Sequence, residues 1–376
     1  MYYKGKSKST NLFLFYVCLM YISNYVHAQT NDYKYNIPLQ LNDGWEVASL
    51  SEHGIDTREI ESTTSQFLAE DRYENVLSML IVKNGKLVHE AYSPYVQRNT
   101  LHWMASITKA FTSTLIGIAI DKGFIESVNS GVGELLPEFI DAISDPEFHK
   151  IELKHLMTMS SGLEWSERSS YNDLHNSEHQ MVDSQDWIRF VLSKRVNNEP
   201  GTHFLYNTGG IHLLSAVIKS TTGLYAHEFA EKYLLHPLGI RAYQWNRDPM
   251  GYPCTGGTDG GIGLRTRDVA KFGWLFLKDG TWQGKQIISQ KWIKEATKNH
   301  KARSYGRNYY GYNWSPGSKT VNGKTFDYIA AFGYGGQILY LVPEMDLIIV
   351  FTCELTEGNA NVHTLVEKTF KALIQN

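Results

Sequence analysis

The chain is 376 residues long and 42% hydrophobic, and its 39 acidic and 36 basic residues give a formal net charge of −3. That balance offers no basic face to nucleic acid, whose phosphates dominate affinity. The length is ample for one large core or for two lobes sharing an interface.

The first 28 residues read as a secretory signal peptide. Lys4, Lys6 and Lys8 precede an apolar core from Leu12 to Ile22, and Val26-His27-Ala28 supplies a small-residue cleavage site. Val17 does not suit a lipoprotein anchor at Cys18, and the apolar core is shorter than the roughly 20 residues a bilayer span needs. Cleavage after Ala28 would leave 348 of the 376 residues and, with three lysines gone, take the charge from −3 to −6. The expectation is an exported mature chain without a stable membrane span. It would keep Cys254 and Cys353, which either form one disulfide or stay as two buried thiols.

Val76 to Tyr92 reads as two strands around Asn84-Gly85, a strong hairpin signal. From Ser106 to about Ala230 the pattern turns mainly helical. Ile107, Phe111, Leu115 and Ile118 fall at helical spacing, and Gly123 ends that helix. From Asp327 onward three strand-like runs are broken by a glycine cluster and by Pro343 to Asp346, and a helical tail begins near Asn359. The expected class is α+β: N- and C-terminal strands build one antiparallel sheet flanked by helices, with a mainly helical lobe inserted at about 106–250.

Within "MASITKAF", Ser106 stands three residues before Lys109, the only Ser-x-x-Lys in the chain. One helical turn separates the two, so the lysine amine can meet the serine hydroxyl. A lysine on the first turn of an apolar helix needs a reason to be there. The competing reading is a helix cap beside a surface lysine.

"MASITKAF", "LMTMSSGLEW", "PGTHFLYNTGGIHLLSAVI", "GGIGLRTRDVAKFG" and "FGYGGQILYLVPEMDLIIV" together resemble, in order, the β-lactamase/penicillin-binding-protein superfamily of serine hydrolases. Within it the chain looks most like the class C-related esterase and 6-aminohexanoate-dimer hydrolase branch. The resemblance implies a β-lactamase/transpeptidase-like fold and an acyl-enzyme on Ser106, with Lys109 as proton partner and Tyr206 as general base. It implies no cofactor and no metal. The substrate would be a small ester, amide or lactam, processed more as an esterase or amidase does than as a true β-lactamase; a class C-type β-lactamase or D-amino peptide hydrolase is the alternative.

The family's Tyr-x-Asn element reads Tyr206-Asn207-Thr208, which puts its substrate-orienting role on a hydroxyl at Thr208. The Lys/His-Thr-Gly triplet aligns with Ala331-Phe332-Gly333, without its cation. The amides of Ser106 and Tyr334 would form the oxyanion hole, with Gly333 bare beside the substrate.

Of the aromatics near these motifs, Trp103, Trp165, Tyr171, Trp187 and Tyr334, the expectation places Trp103 and Tyr334 in the cleft. His175-Asn-Ser-Glu178-His179 also matches the His-x-x-Glu-His pattern of zinc peptidases, a remoter reading. A non-catalytic binding module of the same fold is the other.

Overall fold

The computed structural model describes residues 33–167, 173–302, 309–356 and 361–374. The signal-peptide reading and Tyr171 lie outside the described residues.

A seven-stranded sheet joins the two ends of the chain. Its strands are β1 (Glu46–Val47), β2 (Val76–Lys83), β3 (Lys86–Tyr92) and, after three short strands of a smaller sheet, β7 (Ser315–Val321), β8 (Lys324–Gly333), β9 (Gln337–Val342) and β10 (Leu347–Cys353). The smaller sheet holds β4 (His102–Trp103), β5 (Tyr243–Trp245) and β6 (Ile262–Leu264), with β6 in the middle.

Asn84 and Gly85 take φ of 50° and 80°, the left-handed pair that matches the twist of a two-residue hairpin. They close the register at Lys83 opposite Lys86. The order across the large sheet is β1-β3-β2-β10-β9-β8-β7, all antiparallel except β1 beside β3. The central seam is β10 against β2, so the last strand of the chain completes a sheet begun by the first hairpin.

The five longer helices are α1 (Thr57–Ala69), α2 (Thr108–Asp121), α3 (Thr208–Thr222), α4 (Thr266–Leu277) and α5 (Val362–Leu373). Strand β10 is buried along its whole length and alternates between two cores, as a period of two requires. Ile349 and Phe351 pack with Ile60 and Phe67 of α1 and Val366 and Phe370 of α5. Ile348 and Val350 face the other way, into a core with Phe111 of α2 and Phe272 of α4. Those two rings stack at 3.7 Å and tie α2 to α4. Cys254 and Cys353 are both buried and free. Among the described residues no helix is long and apolar enough to cross a membrane.

Candidate active site

Ser106 lies on a 3₁₀ turn, Ala105–Ile107, that runs straight into α2. It is therefore not the side-chain cap of that helix, which has none. The residue before it, Ala105, has φ of 46°, a left-handed backbone that costs a non-glycine residue roughly 1 kcal/mol or more. The sharp turn is fixed from outside: the Met104 amide donates to the Ile262 carbonyl at 2.9 Å, and the Ile262 amide donates to Thr108 Oγ1 at 3.1 Å.

Lys109 is only 1% exposed, and its ammonium nitrogen reaches Ser106 Oγ at 2.8 Å and the Gly256 carbonyl at 2.5 Å. Burial lowers its proton affinity, while Glu167, Glu178 and Tyr310 raise it in opposition. The Tyr206 ring sits over the same nitrogen, 4.9 Å from its centroid. Sequence neighbours hold that tyrosine in place. The Leu205 amide donates to the Met159 carbonyl at 2.7 Å, and Asn207 caps α3 by accepting from the Gly210 amide at 2.7 Å. Ser106 and Tyr206, 100 residues apart in sequence, are thus gathered around one amine, which can shuttle a proton between the serine and the tyrosine.

Gly333 ends β8 where a Cβ would collide with the Met104 carbonyl, so a bare backbone is required there. The next residue, Tyr334, is 54% exposed at the rim of a cleft of about 730 Å³. Trp103, Ser106, Tyr206, Thr208 and Tyr334 all line that cleft. Trp165 and Trp187 do not. They are core residues, Trp165 against Phe190 and Trp187 against His212.

Thr208 lines the cleft with its polar groups already engaged by a neighbouring side chain. Its hydroxyl donates to Glu167 Oε1 and its amide to Glu167 Oε2 at 2.8 Å. Ala331 is only 3% exposed and belongs to the core, so a cation at that position would be buried.

The His-x-x-Glu-His segment separates into unrelated parts. His175 is exposed, and His179 faces Asp183 at 3.3 Å. Glu178 instead lines the cleft and accepts from Thr258 Oγ1 at 2.7 Å. Among the described residues no group of three or more His, Cys, Asp or Glu is placed to hold a metal ion. The zinc-peptidase expectation therefore fails on geometry.

Glu167, which no sequence motif marks, joins Glu178 in the cleft lining. Burial, and then the charge of Glu167, push the Glu178 carboxyl up to about 7. Spacing gave no signal for Glu167, which follows the "SGLEW" run by two positions. With Asp259 the cleft has three acidic side chains and, among its described lining residues, no Lys or Arg.

A sheet built from both chain ends, a helical lobe between, and a serine–lysine pair at their junction define the β-lactamase/transpeptidase-like class of fold. The chain belongs to the β-lactamase family, whose model matches residues 61–373, and is a hydrolase of that fold. It is 23% identical over 293 residues to the 6-aminohexanoate-dimer hydrolase of Paenarthrobacter ureafaciens, covering 73% of this chain and 71% of the relative. It is 24% identical over 200 residues to esterase EstB of Burkholderia gladioli, covering 48% of this chain and 50% of that one. Among solved structures it superposes on a protein of Bacillus anthracis assigned as a 6-aminohexanoate-dimer hydrolase. That match has a TM-score of 0.67 and 20% identity and covers 90% of this chain and 86% of the other, a likeness of fold.

Proposed function

We propose that this protein is an exported serine hydrolase that cleaves neutral or cationic esters and amides through an acyl-enzyme on Ser106. The observation that carries the reading is the 2.8 Å contact between the buried Lys109 amine and Ser106 Oγ at the floor of the cleft. Ser106 Oγ attacks the acyl carbon as its proton passes to the Lys109–Tyr206 pair. The carbonyl oxygen takes the negative charge beside the Ser106 and Tyr334 amides. The bond to the leaving group then breaks as that group receives the proton, and water repeats the sequence on the acyl-enzyme to release the acid. The relatives support the chemical class: one hydrolyses a 6-aminohexanoate dimer and another is an esterase.

Charge narrows the substrate. Lactam-processing members hold a cation where this chain has Ala331, and the cleft here carries Glu167, Glu178 and Asp259 instead. A carboxylate on the substrate would therefore lack a charge-assisted hydrogen bond worth about 1.5–3 kcal/mol at that position. Trp103, Tyr334 and Leu355 give the same cleft an apolar wall for acyl or alkyl groups.

The test is a comparison of kcat/KM for short p-nitrophenyl esters and for benzylpenicillin, with Ser106→Ala as the blank. Esters should be favoured by roughly tenfold or more, the equivalent of that contact. Penicillin turnover equal to or above ester turnover would replace this reading with a true β-lactamase.

A further inference from the structure

Glu167 makes more contacts to the catalytic frame than any reading of Thr208 required. Its Oε1 accepts from the Thr208 hydroxyl, and its Oε2 accepts from the Thr208 amide at 2.8 Å and from Trp165 Nε1 at 2.5 Å. Trp165 is itself wedged against the start of α3, where a Cβ on Gly209 would collide with its ring. One carboxylate therefore grips both the first residue of α3 and the side chain that buttresses its second. Tyr206 lies two residues before Thr208, between this clamp and the Met159 contacts on Leu205 and Asn207.

We propose that Glu167 is a positioning residue of the hydrolytic site: it clamps the start of α3 through Thr208 so that the Tyr206 phenol stays over Lys109. The same carboxylate raises the proton affinity of Lys109. The inference rests on the hydrolase reading and gives Thr208 a different part from the substrate contact its motif suggested. A hydroxyl already donating to a carboxylate has no proton left to donate to a substrate.

Four ionisable groups bear on Lys109 from separate elements. Glu167 approaches from the loop after "SGLEW", Glu178 from the short helix Ser177–Val182, Tyr206 from the lead-in to α3, and Tyr310 from the strand Tyr309–Tyr310. Asp259 acts in turn on Glu178. Removing one negative charge from these groups makes the lysine lose its proton at lower pH.

Three variants separate clamp, charge and substrate contact, each assayed with a neutral p-nitrophenyl ester against the Ser106→Ala blank. That blank detects failure of the hydrolase reading independently. Glu167→Ala breaks the clamp and should lower kcat by roughly tenfold or more with KM within about twofold, as expected when a proton-transfer group drifts. Glu167→Gln can keep all three hydrogen bonds with its amide suitably turned, so kcat should fall far less. It should still move the acid limb of kcat/KM to lower pH by roughly half a unit or more. Thr208→Val, which needs no change at the carboxylate, covers the case in which Glu167→Ala does not fold; it should lower kcat and leave KM nearly unchanged. Two results would overturn the proposal. One is a Glu167→Gln profile superimposable on the wild type. The other is a Thr208→Val effect confined to KM, which would return Thr208 to the substrate.

Discussion

Burial weakens the grip of Lys109 on its proton, and two nearby carboxylates partly restore it. An amine in that balance can take the serine proton and return it, which an ordinary surface lysine cannot do near neutral pH. Lys109→Ala and Tyr206→Phe should each lower kcat by roughly 10²-fold or more while KM changes little, as steady-state ester kinetics would record. A Tyr206→Phe enzyme within about threefold of wild type would move the base elsewhere.

Glu178 has a separate signature in stability. Its carboxyl is pushed up to about 7 in the folded chain, so between an unfolded value near 4.5 and pH 7 the folded state holds a proton that the unfolded state lacks. Stability from this group therefore falls as pH rises through that window, by about 3 kcal/mol at most. Glu178→Gln should raise Tm relative to wild type more at pH 8 than at pH 5, which thermal melts at the two pH values would show. Ser106 and Lys109 were legible because a spacing of three is local. Glu167 and Glu178 were not, because their threonine partners lie 41 and 80 residues away.

At the level of single elements, the hairpin at Asn84-Gly85 and the buried helix α2 follow directly from pattern, since turn chemistry and a continuous apolar run leave little choice. Strand β7, "SPGSKTV", has no strand-like pattern in the sequence. It is the edge of the sheet, half exposed and polar in its middle, and its strand character comes from pairing with β8. Helix α1 has a weak sequence signature for a related reason. Only Ile60, Thr63, Thr64 and Phe67 are buried along it, two of them threonines, so its inward stripe is faint. The end of β8 makes the strongest demand on sequence, because the Met104 carbonyl occupies the place of a side chain at Gly333. Gly333→Ala should push the strand end away from the Ser106 turn, lowering both kcat and Tm; a variant with wild-type values of both would show that the two backbones are not held together there.

Across the whole molecule, the sheet closes only when β10 docks on β2, more than 250 residues later in the chain, and the cleft opens where the inserted lobe meets that sheet. The α+β class and the shared sheet were legible because strand-like runs occur at both ends. The small sheet of β4, β5 and β6 was not, since its strands are two or three residues long and come from distant segments. The packing that excludes water also excludes charge: burial lowers His89 and His102 to about 4. Both stay neutral in the folded chain while the unfolded chain takes up protons below about 6.5, so stability falls as pH drops from 6.5 to 4, by up to about 3 kcal/mol for each. The Tm of wild type should decline across that window, and His89→Gln should decline less steeply. Equal slopes would remove His89 from the acid response.

The central claim is that one serine, set on a strained turn and touched by a buried lysine, carries the covalent step. Intact-mass measurement after treatment with a fluorophosphonate tests it most directly. Wild type should gain one adduct, and Ser106→Ala, folded by its thermal melt, should gain none. An adduct that persists in the variant would contradict the assignment.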